Sequence, residues 1–322
     1  MRTPGPRLAL CLFLLAGYIP LAAAQDTLPK AIRIIVPFSP GGSNDVIARA
    51  IALPLGKRLD IPVIVENKAG AAGVIGADYV AKAPRDGSVL LLTSSSFLTA
   101  AATQTQLPYD PIAAFAPVAM VGRGPMLLVV SAATPFKTPA DVIAAAQATP
   151  GALNYGSAGV GSIAHLTTEL LDDTAKIRMT HVPYKGAANA AVDLAAGQIQ
   201  VMVSNYSTVA PLMRSGKIKA LAVTSSRAHP AFPDLPPLAA AAPGFAVDIW
   251  VGVFAPAGTP GPIVLRLNQE INAIAASPDL APVLEPDGTL PEAIAPAVFA
   301  GRIKDELVQW KKIAAEHKIV AE

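Results

Sequence analysis

Strand-sized apolar runs alternate with helix-period patterns through nearly all of this chain, and that alternation restricts the fold to the α/β class. Ile32–Val36 reads as a buried strand, after which Val46, Ile47, Ala50, Ile51 and Leu55 share one helical face. Pro62–Glu66 and Val89–Thr93 repeat the strand pattern, with a helix over Ala77–Ala83 between them. The pattern restarts with a helix that Thr138 caps and Pro139 opens, a strand at Leu153–Tyr155 and a helix over Ile163–Leu171. Strands at Val201–Asn205 and Ile218–Thr224 flank a short helix, Pro211–Gly216, and longer helices run over Pro260–Ala276 and Pro296–His317. Such alternation predicts largely parallel sheets. Two further runs, Pro117–Ser131 and Phe245–Ala255, lie far apart in sequence and are the natural crossings between two lobes. The expected layout is a leader at 1–24, a discontinuous lobe 1 at 25–124 and 250–322, and lobe 2 at 125–249.

Charge and cysteine usage narrow the function. The leader has basic Arg2 and Arg7, an apolar core from Leu8 to Leu15 and a small-residue site, Ala22-Ala23-Ala24, so it reads as an export signal cleaved after Ala24. Its core is too short for a bilayer span, and Leu10 before Cys11 is a poor fit to a lipoprotein site. Cys11 is the chain's one cysteine, so the exported protein is expected to hold no disulfide, thiol nucleophile or cysteine metal site. The chain has 25 Lys+Arg and 23 Asp+Glu, and losing Arg2 and Arg7 leaves 23 of each. A balanced chain without a basic run argues against nucleic acid or an anionic membrane as partner. Aromatic residues at 5% argue against a sugar-stacking platform.

Two junctions carry the chemistry. Ser39-Pro40-Gly41-Gly42-Ser43 lies between a strand and a helix, and so does Gly156-Ser157-Ala158-Gly159-Val160-Gly161-Ser162. Glycine lets the backbone turn tightly and approach a ligand, and the helix that follows offers free N–H groups and a positive dipole end to a carboxylate or phosphate. One such loop is an ordinary turn; two, one per lobe, suggest one anion held from both sides. Ser43 and Ser162 are placed as N-caps. Asp45 either complements the dipole or reaches the ligand. At Gly41, Gly42 and Gly161 an added Cβ is expected to obstruct both turn and ligand. Ser94, Ser95 and Ser96 stand at the carboxyl end of a strand, where open α/β sheets bind ligands. Tyr184 and Lys185 close another strand and Ser204 a third. His165, early in its helix, is either a structural hydrogen-bonder or a ligand contact, and Glu169 is read as a surface residue.

Enzyme signatures are missing from the sequence. There is no GxSxG elbow, HExxH motif or Walker loop, and the glycines of Asn67–Gly76 do not form GxGxxG. His165, His181, His229 and His317 show no metal-ligand spacing, and against a Ser162–His165 catalytic pair Ser162 reads as an N-cap with its hydroxyl in use. Neither a cofactor nor a metal is expected.

Further motifs carry a resemblance. Val36-Pro37-Phe38-x-Pro40-Gly41-Gly42, Glu66-Asn67-Lys68-x-Gly70-Ala71-x-Gly73, Leu107-Pro108-Tyr109-Asp110-Pro111 and Phe115-Ala116-Pro117-Val118 come in that order. Tyr155-Gly156-Ser157, Gly161-Ser162-x-x-His165-Leu166, Val182-Pro183-Tyr184-Lys185-Gly186, the run Gly216–Thr224 and the run Gly252–Pro260 follow. Across nearly the whole exported chain this resembles the Bug family, periplasmic solute receptors of tripartite tricarboxylate transporters. The resemblance implies a two-lobed, type II-like periplasmic binding protein that closes on a small organic acid and presents it to membrane permease subunits. By position it implies ligand contacts from Pro40, Gly41, Gly42, Asp45 and Ser94–Ser96 in one lobe, and from Ser157, Gly161, Ser162, His165, Tyr184, Lys185 and Ser204 in the other. Two departures stand out: Ser204 replaces a common Asp, and Thr93-Ser94-Ser95-Ser96 replaces an amide-rich pattern. Without that Asp the expected ligand is a plain di- or tricarboxylate or aromatic acid, not an amino acid. A ligand-sensing subunit for a signalling partner uses the same receptor and is the alternative, with a secreted hydrolase a distant third.

Overall fold

Two mixed sheets organise the chain, seen here in a computed structural model that describes residues 28–184 and 186–321. The leader and Lys185 lie outside the described residues. In chain order the elements are β1 (Ile32–Val36), α1 (Ser43–Leu59), β2 (Val63–Asn67), α2 (Val74–Ala81), β3 (Val89–Ser94), α3 (Ser96–Thr103) and β4 (Phe115–Pro125). Then come β5 (Leu127–Ser131), α4 (Pro139–Ala148), β6 (Asn154–Ser157), α5 (Ile163–Ala175), β7 (Thr180–Pro183), α6 (Ala187–Ala195), β8 (Val201–Ser204), α7 (Tyr206–Arg214) and β9 (Ile218–Val223). The chain closes with β10 (Asp248–Pro256), α8 (Gly261–Ala275), α9 (Ala281–Leu284), β11 (Leu290–Pro291) and α10 (Pro296–Glu316).

The first sheet runs β11-β4-β10-β3-β1-β2 and the second β7-β6-β8-β5-β9. The chain crosses between them at Met126, from β4 to β5, and again between β9 and β10, so the first sheet draws on both ends of the sequence. The expected parallel arrangement holds only for a triple in each sheet, β2-β1-β3 and β7-β6-β8. The crossing strands β4, β5 and β10 pair antiparallel, because a strand that enters a sheet from the other lobe runs against its neighbours.

Alternation along the parallel strands sets the layers. Ile34, Val36, Leu90 and Leu92 pack with Ile47, Ile51 and Leu55 of α1 and Leu267 and Ile271 of α8. Ile35 and Leu91 point the other way, into a core shared with Phe97 and Leu98 of α3 and Phe299 and Trp310 of α10. That second core continues under the other sheet through Leu128, Tyr155, Leu166 and Val203. Apolar packing therefore runs from one sheet to the other beneath α3, α10 and α5.

Local signals behave as expected at Thr138, whose hydroxyl receives the Asp141 amide at 3.2 Å while Asp141 Oδ2 receives the Thr138 amide at 2.8 Å. Three readings need correction. The N-cap of α1 is Gly42, in an extended conformation, and Ser43 is already helical. Val46 is 44% exposed, since the buried stripe of α1 is Ile47, Ala48, Ile51, Ala52 and Leu55. Helix α7 starts at Tyr206 and carries Pro211 inside it; Ser207, Thr208 and Val209 are weak helix formers and hid its first turn.

Candidate functional site

The carboxyl ends of the parallel strands carry the loops picked out in the sequence. In the first, Gly41 turns the chain at φ +82°, a left-handed conformation that L side chains resist. Its amide donates to Asp45 Oδ2 at 2.9 Å, so a carboxylate of α1 closes the loop on itself. Arg49 donates to the same oxygen at 3.0 Å, and Asn67 donates to Oδ1 at 2.9 Å and to the Phe38 carbonyl at 3.1 Å. The hydrogen bond from Arg49, with those from Gly41 and Asn67, outweighs burial and draws Asp45 down to about 2. Asp45 is thus an anion with protein donors on both oxygens, and it braces the loop. What the loop leaves open is backbone. Pro40, Gly41 and Gly42 are exposed, and the first-turn amides of Ser43, Asn44 and Asp45 have no intrahelical acceptor. A Cβ on Gly42 would meet only the Ser39 carbonyl oxygen, at 3.6 Å, so within the protein the turn demands glycine at Gly41 and not at Gly42.

The three serines after β3 part ways. Ser94 is half-buried and accepts from Asn44 Nδ2 at 3.4 Å, which links β3 to α1, and Ser96 opens α3 half-buried. Ser95 is fully buried: its hydroxyl receives the Trp250 amide at 3.0 Å, and its amide donates to the Trp250 carbonyl at 3.1 Å. The Ser95 hydroxyl is thus engaged with the sheet.

In the second loop the Ser157 hydroxyl is fully buried, 2.7 Å from His181 Nε2 and 3.0 Å from the Gly159 carbonyl oxygen. The Ser–His contact that forms is this one, not Ser162–His165, and it presents no hydroxyl to a substrate. Ser162 caps α5 as expected, its Oγ receiving the His165 amide at 3.4 Å. The Gly161 amide donates to His165 Nδ1 at 3.2 Å, and Gly161 has φ +77°. A Cβ there would fall 3.2 Å from Thr103 Cβ, so a helix of the other sheet, not a ligand, closes the space at Gly161. His165 is buried and stacks on His181 with ring centroids 3.7 Å apart. Burial, with the neighbouring His165, draws His181 down to about 4. Open donors remain at the start of α5, where Ile163 and Ala164 have no intrahelical acceptor.

Other expected contacts are engaged with protein. Tyr184 donates to Asp193 Oδ2 at 2.8 Å, and burial together with that carboxylate pushes its hydroxyl up to about 12. Ser204 is buried and donates to the Asn205 carbonyl at 3.3 Å. Helix α3 joins the two loops. Asn44 bonds to Ser94 just before its start, Gly161 packs on Thr103 at its end, and its 8 residues span about 12 Å.

Sequence reasoning missed three groups. Asn67 and Arg49 brace the first loop, and the Arg49–Asp45 spacing of four was a visible signal. Asp287 accepts from the Ser207 amide at 2.6 Å and its hydroxyl at 2.9 Å, so a carboxylate that follows α9 occupies the amino end of α7. Glu169, read as a surface residue, lies with Tyr155, His165 and His317. Nothing local in sequence announces Asp287 or His317, since each meets its partners only in the folded chain. Among the described residues no group of three or more His, Cys, Asp or Glu is arranged to hold a metal ion, and no helix is long and apolar enough to cross a membrane.

Comparison with known proteins gives a consistent result. Residues 47–319 match the family model described as the tripartite tricarboxylate transporter family receptor. Protein BugT of Bordetella pertussis is 37% identical over 309 residues, covering 95% of this chain and 95% of that protein. Among solved structures, Rpa4515 of R. palustris with adipate superposes at a TM-score of 0.81 with 34% identity, covering 91% of this chain and 99% of the other. MatC of Rhodopseudomonas palustris with bound malate gives 0.78 and 34%, covering 89% and 99%.

Proposed function

The chain belongs to the tripartite tricarboxylate transporter receptor family, and from that premise we propose that it is an extracytoplasmic receptor for a small organic carboxylate. The ligand sits between lobe 1, residues 25–124 with 250–322, and lobe 2, residues 125–249. It passes to the membrane permease of a tripartite transporter. One observation carries the reading: each sheet offers a strand–loop–helix junction with open first-turn amides, and the two junctions stand at opposite ends of α3. A carboxylate bridging them takes its hydrogen bonds from the backbone of Gly42–Asp45 and of Ile163–Ala164. Ser94 and Ser96, at the end of β3 and the start of α3, flank the first of these junctions.

The ligand class follows from how the acidic groups are used. Asp45, Asp193 and Asp287 all have protein partners, and the resemblance to the Bug family leads one to expect an Asp where this chain has Ser204. These three carboxylates are therefore engaged before any ammonium group arrives. The solved relatives hold adipate and malate, both dicarboxylates without an amino group. Isothermal titration calorimetry with malate, adipate and a panel of amino acids tests the reading. Binding of a dicarboxylate and silence of the amino acids is the expected result; tight binding of an amino acid alone would refute it.

A further inference from the structure

The acidic residue read as a surface group turns out to sit at the centre of a partly buried cluster. Glu169 lies one helical turn along α5 from His165, with Oε1 3.7 Å from His165 Nε2 and hydrogen-bonded to the Tyr155 hydroxyl. Its Oε2 lies 2.7 Å from Nδ1 of His317, at the end of α10, and the other ring nitrogen of His317 lies 2.7 Å from Asp173 Oδ2. Helix α10 packs on the first sheet, so His317 reaches from that packing onto the helix whose amino end carries the second loop.

We propose that His317 is a positioning residue for the second loop: as a cation it orients Glu169, which fixes the His165 tautomer that holds the Gly161 amide, so the order of the loop follows the protonation of His317. The Gly161 amide donates to His165 Nδ1, which requires a lone pair there and the ring proton on Nε2. Nε2 is the nitrogen that faces Glu169, and an ionised Glu169 selects that tautomer. Carboxylate oxygens 2.7 Å from each ring nitrogen of His317 favour the charged ring, although Nε2 has no hydrogen-bond geometry toward its neighbour. Although burial opposes the charged ring, Asp173 and Glu169 together raise His317 above its ordinary value. Burial likewise opposes ionisation of Glu169, and the neighbouring His165, the Tyr155 hydrogen bond and His317 overcome it.

The groups facing this pair from each packed element define what else titrates there. Helix α5 supplies Glu169, Asp173 and Asp172, β6 supplies Tyr155 and β7 supplies His181. Asp172 is pushed up to about 7 by burial and by Glu169, so it changes charge between pH 6 and 8.5 and needs its own control. On α10 itself Glu316 is paired with Lys312, Lys318 follows His317, and α3 brings no ionisable side chain.

Relevance to the ligand rests on the proposed role of this loop, whereas the test does not, because it is read on the ligand-free protein. Hydrogen exchange of a peptide covering residues 157–166, corrected for intrinsic rates, is followed from pH 6 to 8.5. Wild type is expected to lose about tenfold in protection as His317 deprotonates, the equivalent of one pKa unit of coupling. His317→Gln is expected to be weakly protected and flat, and His317→Arg, a cation at every pH, protected and flat. Asp172→Asn is expected to keep the wild-type slope. If all four proteins gave the same profile, the proposal would be overturned. Loss of the slope in Asp172→Asn alone would also overturn it, by making Asp172 the sensor. Failure of the calorimetry with intact exchange behaviour would count against the carboxylate reading only.

Discussion

Asp45 shows how a single side chain can hold a glycine loop in place through its own hydrogen bonds. Its folded pKa, about 2, lies below the unfolded carboxylate value near 3.9, so its stabilisation is complete above the unfolded value and is lost as pH falls from about 4 toward 2. Arg49 is half exposed, which screens the pair, so Asp45→Asn is expected to lose about 1–2 kcal/mol at neutral pH. The two proteins should converge near pH 2, and urea titrations across that range check it. The neighbouring glycines separate in the same way. Gly41→Ala places a side chain at φ +82° and is expected to cost about 1 kcal/mol, while Gly42→Ala, at φ −75° with open space around it, is close to neutral for stability. Asp172 behaves oppositely to Asp45. Its folded pKa is raised, so ionisation above about pH 7 works against the fold, and Asp172→Asn should be more stable than wild type at pH 8 and less distinct at pH 5. Thermal melts at the two pH values decide it.

At the scale of elements, what the sequence disclosed and what it hid have a common physical basis. Patterns of period 2 and 3.6 are written in consecutive residues, so β1, β3, α4 and α10 fall close to their expected limits. The two glycine loops were legible too, because a strand, a turn and a capped helix are local events. Hydrogen-bond partners were not. Whether Ser95 faces a ligand or Trp250, and whether Glu169 faces water or His317, depends on pairing between segments far apart in the chain. The amino end of α7 makes the same point. Its cap is Asp287, eighty residues downstream of Ser207, and no helix signal could place it. Asp287→Ala is expected to cost about 1 kcal/mol, the usual worth of a cap, and to speed exchange of the Ser207 amide while leaving α4 unchanged.

For the whole molecule, the two crossings and α3 decide how a ligand can change the shape. The strands β4 and β5 are continuous but for Met126, so one link between the sheets is short and stiff, and the other runs from β9 to β10 through Phe245 and Val247, both buried. Relative motion of the sheets then has to occur about these links, with the loop at Gly161 moving against Thr103. A ligand that takes donors from both junctions touches all of them only when the sheets are close, so it binds that arrangement better and populates it. To take the population from one in a hundred to ninety-nine in a hundred it must prefer the closed arrangement by about 5.5 kcal/mol. Bridging hydrogen bonds to a charged carboxylate, at roughly 1.5–3 kcal/mol each, supply that with about two to four contacts. Small-angle scattering with saturating dicarboxylate should therefore show a smaller radius of gyration than the free protein, and Gly161→Ala, which pushes on Thr103, should blunt the change. An unchanged radius in wild type at saturation would mean that the ligand is held within one lobe, and that the two junctions do not act on it together.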